Sequence, residues 1–207
     1  MIDLLQQLNE ISISGIAKRQ KDITKLFPTF FDRVQAVADK GGVRLNNLQT
    51  DLWQFRVHSG TDDNKWYEFN FHIKDLVNLL NKYVPDKSLW TKDKQRADLR
   101  KVARAIFFDA DVQIECSCPA AQYYHHYTQS RPKYDAKYGR KENRPPVKRN
   151  PNEYGILCKH GNAVLKTLPF YITTIAKWLK ENYADKIKEI QDKTREPETE
   201  PEVEQET

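Results

Sequence analysis

Residues 52–73 read LWQFRVHSGTDDNKWYEFNFHI, and the fold turns on this stretch. Trp53, Phe55 and Val57 alternate with Gln54, Arg56 and His58; after the polar run Ser59 to Asn64 the alternation resumes in Tyr67, Phe69, Phe71 and Ile73. Residues two apart share one face of a strand, so this pattern predicts two antiparallel strands, each with one apolar face, joined by a polar turn. His58 and His72 fall on the polar face and are expected to be solvated. A lone hairpin is marginal in water, and Val43 to Leu48 is the candidate third strand.

On both sides the period changes to that of helices. Ile2 to Ile11 repeats apolar residues at helical spacing until Ser12, Ser14 and Gly15 interrupt it. Lys18 to Lys40 carries the stripe Ile23, Leu26, Phe27, Phe30, Phe31, Val34 and Val37, with Pro28 as a kink or a new start and Gly41-Gly42 as the stop. Beyond the hairpin, helices are predicted over Asp75 to Val84, and over Thr91 to Phe107 with Thr91 as the cap and Leu99, Val102, Ala103 and Ile106 on one face. Val112 to Cys116 alternates as a short strand. Helical pattern returns over Cys158 to Leu168 and continues from Pro169 to Lys193.

Composition limits what such a chain can be. The 207 residues suit one ordinary domain or two small ones. The apolar share is 39%, or about 38% with glycine counted in place of tyrosine, lean against roughly 45–50% for soluble domains. No apolar run approaches the roughly 18–20 residues that cross a bilayer, and the start lacks the pattern of a secretory signal, so no membrane partner is expected. Three cysteines are too few for a disulfide scaffold, which argues for a reducing compartment. The net charge of +5 is unevenly divided: residues 194–207 hold one Arg and six Glu, a net −5, which leaves +10 on residues 1–193. A basic body steers acidic or phosphate-bearing partners, and an acidic tail can compete for the same surface.

All three cysteines fall into two pairs, Cys116-Ser117-Cys118 and Cys158-Lys159-His160, separated by the 39 residues 119–157. Zn2+ takes four tetrahedral nitrogen and sulfur ligands, and two ligands one residue apart can converge on it from a turn or a strand end. The second pair opens a predicted helix, where backbone N–H groups and the dipole also favour thiolate. Two other readings compete. Cysteines can be plain buried apolar residues, but here every one falls into the pattern. A catalytic Cys–His pair would leave two cysteines unexplained. His125 and His126 follow Cys118 closely enough to be alternative ligands or to hydrogen-bond one.

The pattern C-x-C, a variable loop, then C-x-H, with a strand before and a helix after, resembles the SWIM-type zinc finger over residues 110–168. SWIM fingers occur in transposases, chromatin-associated factors and bacterial proteins and are linked to DNA or protein binding. The resemblance implies Zn2+ held by Cys116, Cys118, Cys158 and His160. The flanks add a second likeness. Cys116 to Pro119, Tyr123 to Tyr127, Glu142 to Pro151, and Gly155 to His160 with Val164-Leu165 resemble a group of tailed-bacteriophage virion structural proteins; residues 1–75 contribute nothing to it. That likeness implies a head, neck or tail component without catalytic residues.

The segment 119–157 carries Arg131, Lys133, Lys137, Arg140, Lys141, Arg144, Lys148 and Arg149 against three acids, a net +5 interleaved with tyrosines. Those eight cations are the candidate contacts with nucleic acid or a protein partner. No phosphate-binding glycine loop and no H-E-x-x-H occurs, and the sequence makes no positive case for an enzyme or a small-molecule substrate.

The expected architecture is α+β, with helices at both ends, a small antiparallel hairpin sheet and a zinc-pinned strand–helix module. Its divisions are an N-terminal helical segment (1–42), the hairpin with two helices (43–109), the zinc module (110–168) with its basic loop 130–157, a C-terminal helix (169–193) and the acidic tail (194–207). The expected role is structural or assembly work in a virion put together in the host cytoplasm, with other virion proteins as partners and DNA possible. A cytoplasmic SWIM-type DNA-binding accessory or regulatory factor is the alternative.

Overall fold

The computed structural model describes residues 12–20, 23–125 and 155–195. The predicted helix over residues 2–11, His126, the eight candidate contact cations and all six glutamates of the tail lie outside them. Within the described residues the architecture is α+β. Helices α1 (Ile13–Arg19), α2 (Ile23–Leu26) and α3 (Phe30–Asp39) precede strands β1 (Val43–Leu48), β2 (Leu52–His58) and β3 (Trp66–Ile73). Then come α4 (Leu76–Tyr83), the two-residue strands β4 (Trp90–Thr91) and β5 (Arg96–Ala97), α5 (Leu99–Asp109) and β6 (Val112–Cys116). Helices α6 (Lys159–Thr167), α7 (Ile172–Asn182) and α8 (Ala184–Thr194) follow.

Strands β1, β2, β3 and β6 form one antiparallel sheet in the order β1-β2-β3-β6. Its register aligns the apolar alternation into columns. Leu45, Phe55, Phe69 and Cys116 stand side by side, as do Leu48, Trp53, Phe71 and Ile114. Trp53, Phe55, Phe69, Phe71 and Ile114 are almost wholly excluded from water, and burying such side chains contributes roughly 1.5–3 kcal/mol each. Helix α6 packs on β1, β2 and β3, α3 lies against α6, and α5 packs with α4 and α7. One continuous core runs from Ile13 to Ile190. Since Cys116 closes an inward column, the first cysteine pair leaves the sheet on its core side.

Several boundaries differ from the sequence reading, among them the stretch Lys18 to Lys40, which is divided among the end of α1, α2 and α3. Ser12, read as the start of a break, instead caps α1: its hydroxyl accepts from the Gly15 N–H at 3.1 Å. The helix expected from Thr91 begins at Leu99, capped by Asp98, whose carboxylate accepts from the Arg100 N–H. Residues 90–97 are a small hairpin whose turn holds Gln95 at φ +42. The last helix is interrupted at Tyr183, which leaves helical backbone (φ −130, ψ 22) and packs its ring on Trp178. His58 is also not solvated. It is 3% exposed, its Nδ1 accepts from the Gly60 N–H and its Nε2 donates to the Asp63 carbonyl, because the turn folds back over the end of β2.

Candidate metal centre

Strand β6 brings Cys116 opposite Phe69, and the chain is pinned there by an exchange with β3: the Ser117 N–H donates to the Glu68 carbonyl and the Glu68 N–H to the Ser117 hydroxyl. That exchange turns Ser117 outward, so Cys116 and Cys118 both face the core side. Cys118 then opens the π-helical turn Ala121–His125, its Sγ accepting from the Ala121 N–H at 3.3 Å. The second pair arrives on α6, with Cys158 at its N-cap and His160 in the first turn.

The three Sγ atoms and one imidazole nitrogen lie within 4.8 Å of one another. His160 Nδ1 stands 4.0 Å from Cys116 Sγ and 3.9 Å from Cys158 Sγ. Tetrahedral zinc, with bonds of about 2.0–2.3 Å, sets its nitrogen and sulfur ligand atoms roughly 3.5–3.8 Å apart, so the four groups need only small movements to close on an ion. Cys118, Cys158 and His160 are at most 3% exposed.

Imidazole orientation fits the same role. Nε2 lies 3.5 Å from the Ser59 carbonyl, the outer contact that fixes which nitrogen carries the proton, and the ring lies against Tyr67 at 4.6 Å between centroids. Gly161 lets this turn approach the sheet: a Cβ there would lie 2.6 Å from Phe69 Cε2.

The electrostatics of the cluster favour a cation. Burial pushes the Cys116 thiol well above its ordinary value. Hydrogen bonds from Cys116 and Cys158 hold Cys118 far below its own. A hydrogen bond from Cys116 lowers Cys158, but the Cys118 thiolate and burial outweigh it and Cys158 ends raised. Burial and mutual repulsion oppose ionisation of all three thiols together; a divalent ion would let them ionise. Three thiolates and an imidazole are the donor set that suits zinc.

Two contacts in this region have no signal in the sequence pattern. Gln20 is buried and acts as a strand partner to the approach of Cys158: its Nε2 donates to the Leu157 carbonyl at 2.8 Å, and its Oε1 accepts from the N–H groups of Ile156 and Leu157 at 3.1 and 3.0 Å. His125 lies outside the four-residue cluster. It is 1% exposed, shares a hydrogen bond with the Gly155 backbone, and so ties the turn after Cys118 to the segment before Cys158.

The SWIM zinc finger family model matches residues 98–127, the stretch from the α5 cap through the first cysteine pair, and ends short of Cys158 and His160. No curated protein and no solved structure matches the chain. The similarity and the geometry together describe a SWIM-like cluster of three cysteines and a histidine, suited to zinc.

Proposed function

We propose that the chain is a non-catalytic binding and assembly protein in which Cys116, Cys118, Cys158 and His160 hold one Zn2+. The convergence of those four side chains within 4.8 Å from two distant segments carries this reading. Four protein ligands close the shell and leave no position for water or substrate, so the ion stabilises the fold and takes no part in catalysis. Structural zinc supplies on the order of 10 kcal/mol of apparent binding free energy in small fingers. Here it fastens both ends of the basic segment 119–157 to the sheet. That segment, with Arg131, Lys133, Lys137, Arg140, Lys141, Arg144, Lys148 and Arg149, is the partner surface.

The residues flanking the ligands support placing this work in a tailed-phage virion, among other virion proteins. A SWIM-type DNA-binding factor is the second reading, favoured by the family match over residues 98–127 and by the net +5 of the segment. No described helix is long and apolar enough to cross a membrane. The first test is metal analysis of the purified chain. One equivalent of zinc is expected, and well under half an equivalent ends the reading. Co-sedimentation with particles supports the virion role. Submicromolar duplex DNA binding that falls steeply with salt supports the other. One fast-reacting thiol in the zinc-loaded chain would revive a catalytic role.

A further inference from the structure

Away from the metal cluster, the β4–β5 hairpin and the end of α8 enclose a cleft of about 780 Å3. Trp90 lies on its wall, and its charged lining is Lys87, Lys92, Lys94 and Arg195 against the single carboxylate of Asp93. Arg195 is the C-cap of α8, already in extended conformation (φ −69, ψ 129), and reaches Asp192 only at 3.9 Å. The next eleven residues read EPETEPEVEQE, with glutamate at every even position from 196 to 206 and prolines at 197 and 201.

We propose that this cleft seats the acidic segment 196–206 of the same chain, an intramolecular contact that a polyanionic partner must displace. Three observations favour this occupant over an external phosphate backbone. The segment begins at the residue after Arg195, so its first carboxylate is delivered to the cleft by covalent connection and at high effective concentration. Residues two apart share a face of an extended chain, so binding in an extended form would set the even-numbered glutamates on one edge against the lysines. Pro197 and Pro201 oppose continuation of α8 as a helix past Arg195. At about 3.3 Å per residue the segment reaches roughly 33 Å, enough to cross the hairpin. The contact is electrostatic and largely exposed, so it holds against roughly 0.1 M salt only where the charges lie within about a Debye length, 10 Å.

The contact is independent of the zinc reading, and the test uses the full zinc-loaded chain. A variant with Glu196, Glu198, Glu200, Glu202, Glu204 and Glu206 changed to Gln is compared with the parent by 15N–1H correlation spectra and by anisotropy with a fluorescent single-stranded oligonucleotide. The amides of Lys92 to Gln95 are expected to shift on neutralisation. The oligonucleotide should bind about fivefold more tightly to the variant, a gain lost when Lys92→Ser and Lys94→Ser are added. The peptide 196–207, added in excess to the six-glutamine variant, should restore the parent shifts. Unchanged amides at residues 92–95, or a gain in affinity that survives the lysine substitutions, would overturn the proposal and leave the cleft to an external polyanion.

Discussion

His160 Nε2 lies 3.5 Å from the carbonyl oxygen of Ser59, a contact between the first turn of α6 and the β2–β3 turn across 101 residues of sequence. It holds the imidazole with Nδ1 toward the thiols of Cys116 and Cys158. This contact and the Tyr67 ring join the metal site to the hairpin.

It follows that His160→Ala should weaken zinc binding by more than about a hundredfold, beyond the 10–100-fold typical of losing an outer contact, since ligand and contact go together. Competition with a chromophoric chelator measures this. Hydrogen exchange should rise at residues 155–167 and also in the turn 59–65. Exchange that rises only at residues 155–167 would show that the ring does not couple the two.

Gln20→Ala leaves the Leu157 carbonyl and the N–H groups of Ile156 and Leu157 without their side-chain partner in a buried site. Unsatisfied buried groups cost about 1–3 kcal/mol each, and partial entry of water brings the expected total to about 2–4 kcal/mol. Urea denaturation of the zinc-loaded protein reads this directly. Gln20→Glu sets a buried carboxylate oxygen against the Leu157 carbonyl, so at neutral pH it should be no more stable than the alanine variant; an alanine variant as stable as the parent would show that the clamp contributes nothing.

The inward columns of the sheet were legible because period two survives any tertiary context that buries one face. Trp53, Phe55 and Val57, and Phe69, Phe71 and Ile73, stand where the alternation places them. The cysteine pairs were legible because coordination chemistry limits the spacing of ligands. Strand order was not, since nothing in Val112 to Cys116 says which strand it will join, and Gln20 could not be read because its partners lie 136 and 137 residues away. His58 was misplaced for a local reason. Its position in the alternation is outward, but Gly60 and Asp63 cover it with backbone groups.

Gly161 tests how tightly the metal-bearing turn must sit. Alanine is favoured over glycine inside a helix by up to about 1 kcal/mol, yet the added methyl would lie 2.6 Å from Phe69 Cε2 and 3.0 Å from Leu157 Cδ2. Phe69 and Leu157 are both buried and cannot swing aside. Overpacking of about 1–3 kcal/mol should win, so Gly161→Ala is expected to lower the unfolding midpoint and speed loss of zinc to a chelator. A stabilised variant would mean that α6 can lift from the sheet without disturbing the ligands.

His125 gives the fold an acid-sensitive joint. Burial outweighs its hydrogen bond with the Gly155 backbone and the nearby Cys118, and its pKa is pushed down to about 4. The unfolded chain takes up this proton near pH 6.5, so between those values the unfolded state binds more protons than the folded one. The stability contributed by neutral His125 is therefore complete above pH 6.5 and is lost as pH falls toward 4, by about 2 kcal/mol between pH 7 and pH 5. Protonation of the thiolates releases zinc over an overlapping range, so the comparison that isolates His125 is made at saturating zinc. His125→Gln should be less stable than the parent at pH 7 and should show a flatter decline toward pH 5. Parallel declines in the two proteins would assign the acid sensitivity to the metal ligands alone.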